Sequence, residues 1–173
     1  MTAVVIYFSR AGENYINGRK QMISVGNTAV LAEKISHQVD VAALQLSPKL
    51  SYSDNYDEAV QQAEKEKKAS ARVEYEALSV DLEQVDTVFL GFPNWWGTYP
   101  QVIAAFLADH DWTNKVIYPF CTHEGSAFGS SIQDLQAACP KAEIKTGLAV
   151  RGSKVARSDA AVKNWLLAYS NKA

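Results

Sequence analysis

Residues 87–97 read Thr87-Val88-Phe89-Leu90-Gly91-Phe92-Pro93-Asn94-Trp95-Trp96-Gly97. The first six are short, apolar and unbroken by polar residues, which predicts a strand covered on both faces, as in a parallel sheet. Val4-Val5-Ile6-Tyr7-Phe8 and Val116-Ile117-Tyr118 have the same character. Val39 to Leu46 and Ile144 to Val150 carry polar interruptions and read as flanking strands. Segments with helical spacing lie between the runs: Leu31 and Ile35; Tyr52, Tyr56 and Ala63; Ile132, Leu135 and Cys139; Val162, Trp165, Leu166 and Tyr169. Strands alternating with helices predict an α/β fold, doubly wound, with helices on both faces of the sheet.

Local signals refine these elements. Thr98-Tyr99-Pro100-Gln101 and Ser130-Ser131-Ile132-Gln133 fit capping boxes, and Ser158-Asp159 fits the start of the last helix. Pro119 has no N–H to give to a ladder, so a bulge or an early strand end is expected there. Glu64-Lys65-Glu66-Lys67-Lys68 reads as a solvated helix face.

Composition narrows the function. The chain has 173 residues, 47% hydrophobic and 21% charged, which fits one globular domain spanning residues 1–173. Seventeen Lys and Arg against nineteen Asp and Glu leave a net charge of −2, with no electrostatic case for nucleic acid. Two cysteines, Cys121 and Cys139, form neither a disulfide framework nor a four-thiolate metal site, and both read as small buried hydrophobes. The opening apolar segment is too short for a signal h-region or a membrane span, so a cytoplasmic setting away from membranes is expected. No metal site is expected.

Ligands of open α/β sheets bind beyond the carboxyl ends of the strands. Three loops fall there: Ser9-Arg10-Ala11-Gly12 with the later Gly26-Asn27-Thr28 helix start, Pro93 to Gly97, and Thr122-His123-Glu124-Gly125-Ser126. Hydroxyls and free N–H groups at a helix start suit a phosphate, and adjacent loop tryptophans suit a flat ring. Together they point to a phosphorylated planar heterocycle. The P-loop, dinucleotide and nucleophile-elbow motifs are all missing. His37 and His110 read as ordinary surface residues.

The first strand with Ser9-Arg10-Ala11-Gly12, the Gly26-Asn27-Thr28 start, and the blocks Gly91-Phe92-Pro93-Asn94-Trp95-Trp96-Gly97 and Pro119-Phe120-Cys121-Thr122-His123-Glu124-Gly125-Ser126 resemble the flavodoxin-like FMN proteins of bacteria, over essentially the whole chain. That resemblance implies a five-stranded parallel sheet in the order 2-1-3-4-5 and one non-covalent FMN. Ser9 and Thr28 would donate hydroxyl hydrogen bonds to its phosphate, with backbone N–H groups from Ala11 and Asn27. Arg10 either neutralises that phosphate or projects to solvent. One of Trp95 and Trp96 would lie against the flavin ring and the other beneath the loop, with backbone contacts from Pro93, Asn94 and Gly97.

Thr122, His123, Gly125 and Ser126 would form the opposite wall, with Glu124 solvated. His123 is the single catalytic candidate, as donor to the ring's edge or proton relay; the alternative is a loop histidine bonded to backbone. Residues 13–26 separate the two halves of the phosphate loop, as an excursion that brings its ends together. The family includes electron carriers and reductases, so two roles are open: electron transfer to a redox partner protein, or oxidation of NAD(P)H with a quinone-like acceptor. A non-catalytic interaction protein on the same fold is the remaining alternative.

Overall fold

The uninterrupted apolar runs form the centre of a parallel sheet in the computed structural model, which describes residues 2–170. The sheet contains Ala3–Tyr7 (β1), Ala43–Gln45 (β4), Thr87–Pro93 (β5), Val116–His123 (β6), Glu143–Ile144 (β7) and Leu148–Arg151 (β8). Gly12–Ile16 (β2) and Arg19–Ile23 (β3) pair separately as an antiparallel hairpin. The helices are Asn27–Val39 (α1), Tyr56–Lys68 (α2), Gln101–Asp109 (α3), Ser131–Ala138 (α4) and Asp159–Ser170 (α5). The strand order is β4-β1-β5-β6-β7, with β8 also on β6. That is the expected 2-1-3-4-5 order, with the fifth strand in two pieces.

The lack of polar alternation has a direct cause in the packing. Val4, Ile6, Phe8, Val88, Leu90 and Phe92 meet Val102, Ile103 and Phe106 of α3 and Leu135 of α4. Val5, Phe89, Tyr118 and Phe120 meet Leu31, Ala32 and Ile35 of α1 and Val162 and Leu166 of α5. Both faces of the central strands are dry, so both strand parities must be apolar. Gly91 leaves the space that the Phe120 ring fills, since a Cβ there would lie 2.1 Å from Phe120 Cζ.

Pro119 stays within β6, in register with Leu90 of β5. The carbonyls of Lys115 and Ile117 accept from Glu143 and Lys145, so the odd-numbered residues of this stretch face β7 and β8. The missing N–H of Pro119 therefore falls on the side where the fifth strand is interrupted between β7 and β8. The interruption expected in the fourth strand appears in its neighbour.

Four local expectations change. Helix α1 runs on through Val39 and ends at Asp40, which takes a left-handed conformation and returns its N–H to Ser36 O; the second parallel strand is only Ala43–Gln45. Pro100, not Thr98, caps α3. Thr98 is held in a bridge with Trp95, and its hydroxyl donates to Asp134 of α4 at 2.5 Å. Ser130 caps α4 by position, yet its hydroxyl donates to Asp134 at 2.7 Å and completes no box with Gln133. His110 is half-buried, its ring 4.8 Å from that of Phe106.

The excursion expected over residues 13–26 is the β2–β3 hairpin, which begins one residue earlier at Gly12 and ends at Ile23. Its turn is Asn17-Gly18, both at positive φ (53° and 83°), the residue pair and conformation favoured by two-residue hairpins. No helix among the described residues is long and apolar enough to cross a membrane.

Candidate functional site

The chain passes from β1 to one neighbour, β4, and only later to the other, β5, so the sheet reverses direction of growth between β1 and β5. A cleft of about 320 Å³ opens beside the carboxyl ends of β5 and β6. Eight of the residues anticipated from sequence line it: Arg10, Asn27, Pro93, Asn94, Trp95, Trp96, Thr122 and His123. Ser9, Ala11, Thr28, Gly97, Gly125 and Ser126 are not among its lining residues.

At one end stands the start of α1. Ser9 Oγ accepts the Ala29 N–H at 3.0 Å, while the amides of Asn27 and Thr28 are of the kind a helix leaves free at its start. Gly26 permits this approach, because a Cβ there would lie 2.2 Å from Ser9 Oγ and 2.7 Å from Arg10 O. Thr28 is buried, and its hydroxyl shares a 2.8 Å hydrogen bond with that of Thr122. Arg10 lines the cleft but gives its guanidinium to the carbonyls of Ser53 (3.0 and 2.7 Å) and Glu13 (2.7 Å). Burial lowers its pKa, against the pull of Asp54 and Glu13. It does not project freely to solvent, since these carbonyls hold its guanidinium.

Glu124 is half-buried, and its carboxylate is engaged or enclosed by the protein instead of freely solvated. Its Oε2 accepts the Asn17 N–H at the hairpin tip, at 3.0 Å. Its Oε1 is buried with no hydrogen-bond partner among the described residues. A Cβ on Gly152 would lie 2.6 Å from this atom and 2.4 Å from Asn27 Nδ2, so both polar ends crowd the same backbone.

The other end is built by turn geometry. Trp96 (φ 55°) and Gly97 (φ 86°) form a tight two-residue turn closed by Trp95 and Thr98. Left-handed backbone is uncommon for a bulky residue, and here it is held from outside. The Trp96 indole Nε1–H donates to Val60 O at 3.1 Å, and its carbonyl accepts from Lys67. Asn94 ties two loops together, donating to Ala127 O at 2.7 Å and accepting from Gly97 N at 3.0 Å. The N–H groups of Asn94 and Gly97 are thus engaged within the protein.

The turn sends the tryptophans different ways. Trp95 packs edge-on against Phe8 and Tyr52, with ring centres 5.2 and 4.9 Å away. Trp96 is 45% exposed at the cleft.

His123 Nδ1 accepts the Gly125 N–H at 2.9 Å, which leaves the proton of the neutral ring on Nε2. Burial and the Arg151 guanidinium hold its pKa below the ordinary histidine value, against the attraction of Glu124. The ring is therefore a neutral N–H donor at neutral pH. Burial raises the thiols of Cys121 and Cys139 to about 12 and about 11, so both stay protonated.

Asn14, Tyr15, Tyr56, Ala59, Val60, Ala63 and Glu124 also line the cleft. The helical spacing of Tyr56 and Ala63 was the available signal for the α2 wall. Asn14 and Tyr15 had no signal of function, because only the hairpin's docking brings them there.

A family model described as flavodoxin matches residues 20–169. No curated protein sequence matches the chain. Among solved structures, the chain is similar to a candidate flavoprotein from Bacteroides eggerthii, with 24% identity, TM-score 0.76 and 95% coverage of both chains. It is similar to a Lactobacillus acidophilus flavoprotein in complex with FMN, with 16% identity, TM-score 0.67 and coverage of 95% and 97%. It also resembles a Fusobacterium nucleatum flavodoxin bound to flavin mononucleotide, with 13% identity, TM-score 0.53 and 99% coverage of both. At these identities the likeness is one of fold.

Proposed function

The chain belongs to the flavodoxin family, and from that premise we propose that it is a single-domain flavoprotein that holds FMN in the cleft and serves electron transfer. The observation that carries this reading is one cleft with a helix start whose first two amides are free at one end and an exposed, immobilised indole at the other. A phosphate suits the first and a flat ring the second. Structural neighbours from Lactobacillus acidophilus and Fusobacterium nucleatum hold FMN on this fold. Bound FMN supplies reversible one- and two-electron chemistry.

The protein's own groups bind, orient and exclude water. The amides of Asn27 and Thr28 and the Asn27 side chain receive the phosphate, with Ser9 and Thr28 shaping that end through protein hydrogen bonds. Gly125 and Ser126 brace their loop from outside the cleft through the Gly125 N–H to His123 and the Ser126 carbonyl to Gly129, and Ala11 also lies outside it. Trp96 covers the ring, Trp95 props the loop from beneath, and Pro93, Asn94 and Gly97 set its shape. His123 Nε2–H donates to the ring's polar edge. The setting is cytoplasmic, where the free thiols of Cys121 and Cys139 stay reduced, and the electron partner is a redox protein.

Acid release of the bound cofactor, followed by chromatography, tests the reading. FMN is expected. FAD alone, or a colourless protein that FMN does not reconstitute, would overturn it and favour an interaction role. NAD(P)H oxidation by the holoprotein with a quinone would replace the carrier role with that of a reductase.

A further inference from the structure

The β2–β3 hairpin lies outside the main sheet, yet it is fastened at both ends across one side of the cleft. At its base, Glu13 N donates to Asp54 O at 2.8 Å, and Glu13 Oε1 accepts the Tyr56 N–H at 3.2 Å. Lys20 bonds Asp57 at 2.6 Å and lies 5.6 Å from the centre of the Tyr56 ring. At its tip, the Asn17 N–H reaches Glu124. The pairing places Glu13, Tyr15, Lys20 and Met22 on one face of the hairpin, since directly opposed residues share a face. Glu13, Tyr15 and Lys20 of that face meet Tyr56 and Asp57 at the start of α2, while Met22 stays exposed.

Tyr15 is the unexplained member. Its ring lies 6.0 Å from that of Tyr56 at 33°, it is 43% exposed, and it lines the cleft. Trp96 is anchored at Val60, one helical turn further along α2 from Tyr56, about 6 Å away. The cleft therefore has aromatic surface at two successive turns of one helix. The hairpin supplies the second surface.

We infer that the hairpin is a clasp for the bound ligand, in which Tyr15 contacts the flavin and the Asn17–Glu124 hydrogen bond keeps the clasp shut. This deepens the FMN reading and rests on it. The contact is made to the part of the ligand that FMN shares with riboflavin, so it slows escape of both.

The test compares release rates of FMN and riboflavin from wild type, Tyr15→Leu, Tyr15→Phe, Glu124→Ala and Glu124→Gln. An aromatic contact predicts release about three- to tenfold faster for both ligands in Tyr15→Leu, and near wild-type rates in Tyr15→Phe. Glu124→Ala should release riboflavin faster and expose the Asn17 amide to hydrogen exchange, while Glu124→Gln keeps an acceptor and restores both. Riboflavin is the deciding ligand for Glu124, because it lacks the phosphate that a carboxylate repels. Unchanged riboflavin release in Tyr15→Leu and Glu124→Ala, with FMN still bound by wild type, overturns the clasp alone. Failure of wild type to bind either flavin overturns the FMN reading beneath it.

Discussion

The hydroxyl oxygens of Thr28 and Thr122 lie 2.8 Å apart, joining the first turn of α1 to the end of β6. Thr28 is 1% exposed and Thr122 4%, so neither oxygen has water as a substitute partner. The bond links the helix that would receive a phosphate to the strand whose next residue is His123.

Thr28→Val should therefore cost the apoprotein about 1–3 kcal/mol, because it strands a buried hydroxyl on Thr122. Adding Thr122→Val removes that stranded group. The double variant should be more stable than the sum of the singles predicts, as measured by urea denaturation. Strict additivity would mean that the two hydroxyls do not act as a pair.

The two tryptophans should separate stability from binding. Trp95→Ala removes a ring packed on Phe8 and Tyr52 and should destabilise the apoprotein by up to about 3–5 kcal/mol. Trp96→Ala should leave the apoprotein close to wild type and weaken flavin binding by about 0.5–1.5 kcal/mol beyond area burial. Its two-electron potential should move upward as water reaches the ring and stabilises added charge. Equal loss of stability in both variants would place Trp96 in the core instead.

Gly26→Ala would put a methyl group 2.2 Å from Ser9 Oγ and 2.7 Å from the Arg10 carbonyl. The backbone must shift, at a cost of roughly 1–3 kcal/mol. That shift also moves the free amides of α1, so FMN affinity should fall more than riboflavin affinity in titrations of the apoprotein. A parallel fall for both ligands would detach the helix start from the phosphate.

The pH dependence follows from His123. Its pKa is lowered in the folded state, chiefly by burial, so the unfolded chain binds the proton more readily. The associated stability is complete above the unfolded value of about 6.5 and is lost as pH falls through the lower folded value. Protonated Nδ1 can no longer accept from Gly125. Denaturation midpoints should fall on acidification, with His123→Asn flattening part of the slope, and an NMR titration should place His123 below about 6.5. A titration above that value would reverse the sign.

The sheet and its order of elements are determined by the sequence itself. A strand dry on both faces has to be apolar at both parities, and that writes uninterrupted runs such as 4–8 and 87–92 that need no knowledge of their neighbours. Loops at the ends of those runs, and the helix start at Asn27, follow from the same local grammar. Asn17-Gly18 was a local signal of equal quality for the hairpin, but its flanking strands mix polar and apolar residues on both faces and make no apolar run. Only the tertiary structure decided where the hairpin docks, that Arg10 serves the Ser53 and Glu13 carbonyls, that Glu124 holds the hairpin tip, and that Trp95 turns inward while Trp96 turns out. Each of these depends on a partner distant in the chain or on one strained turn. Hydrogen bonds across 43 residues to Ser53, or 107 to Asn17, leave no periodicity behind. Burial is a property that a residue carries in its own chemistry, whereas a pairing is decided only once the chain has closed.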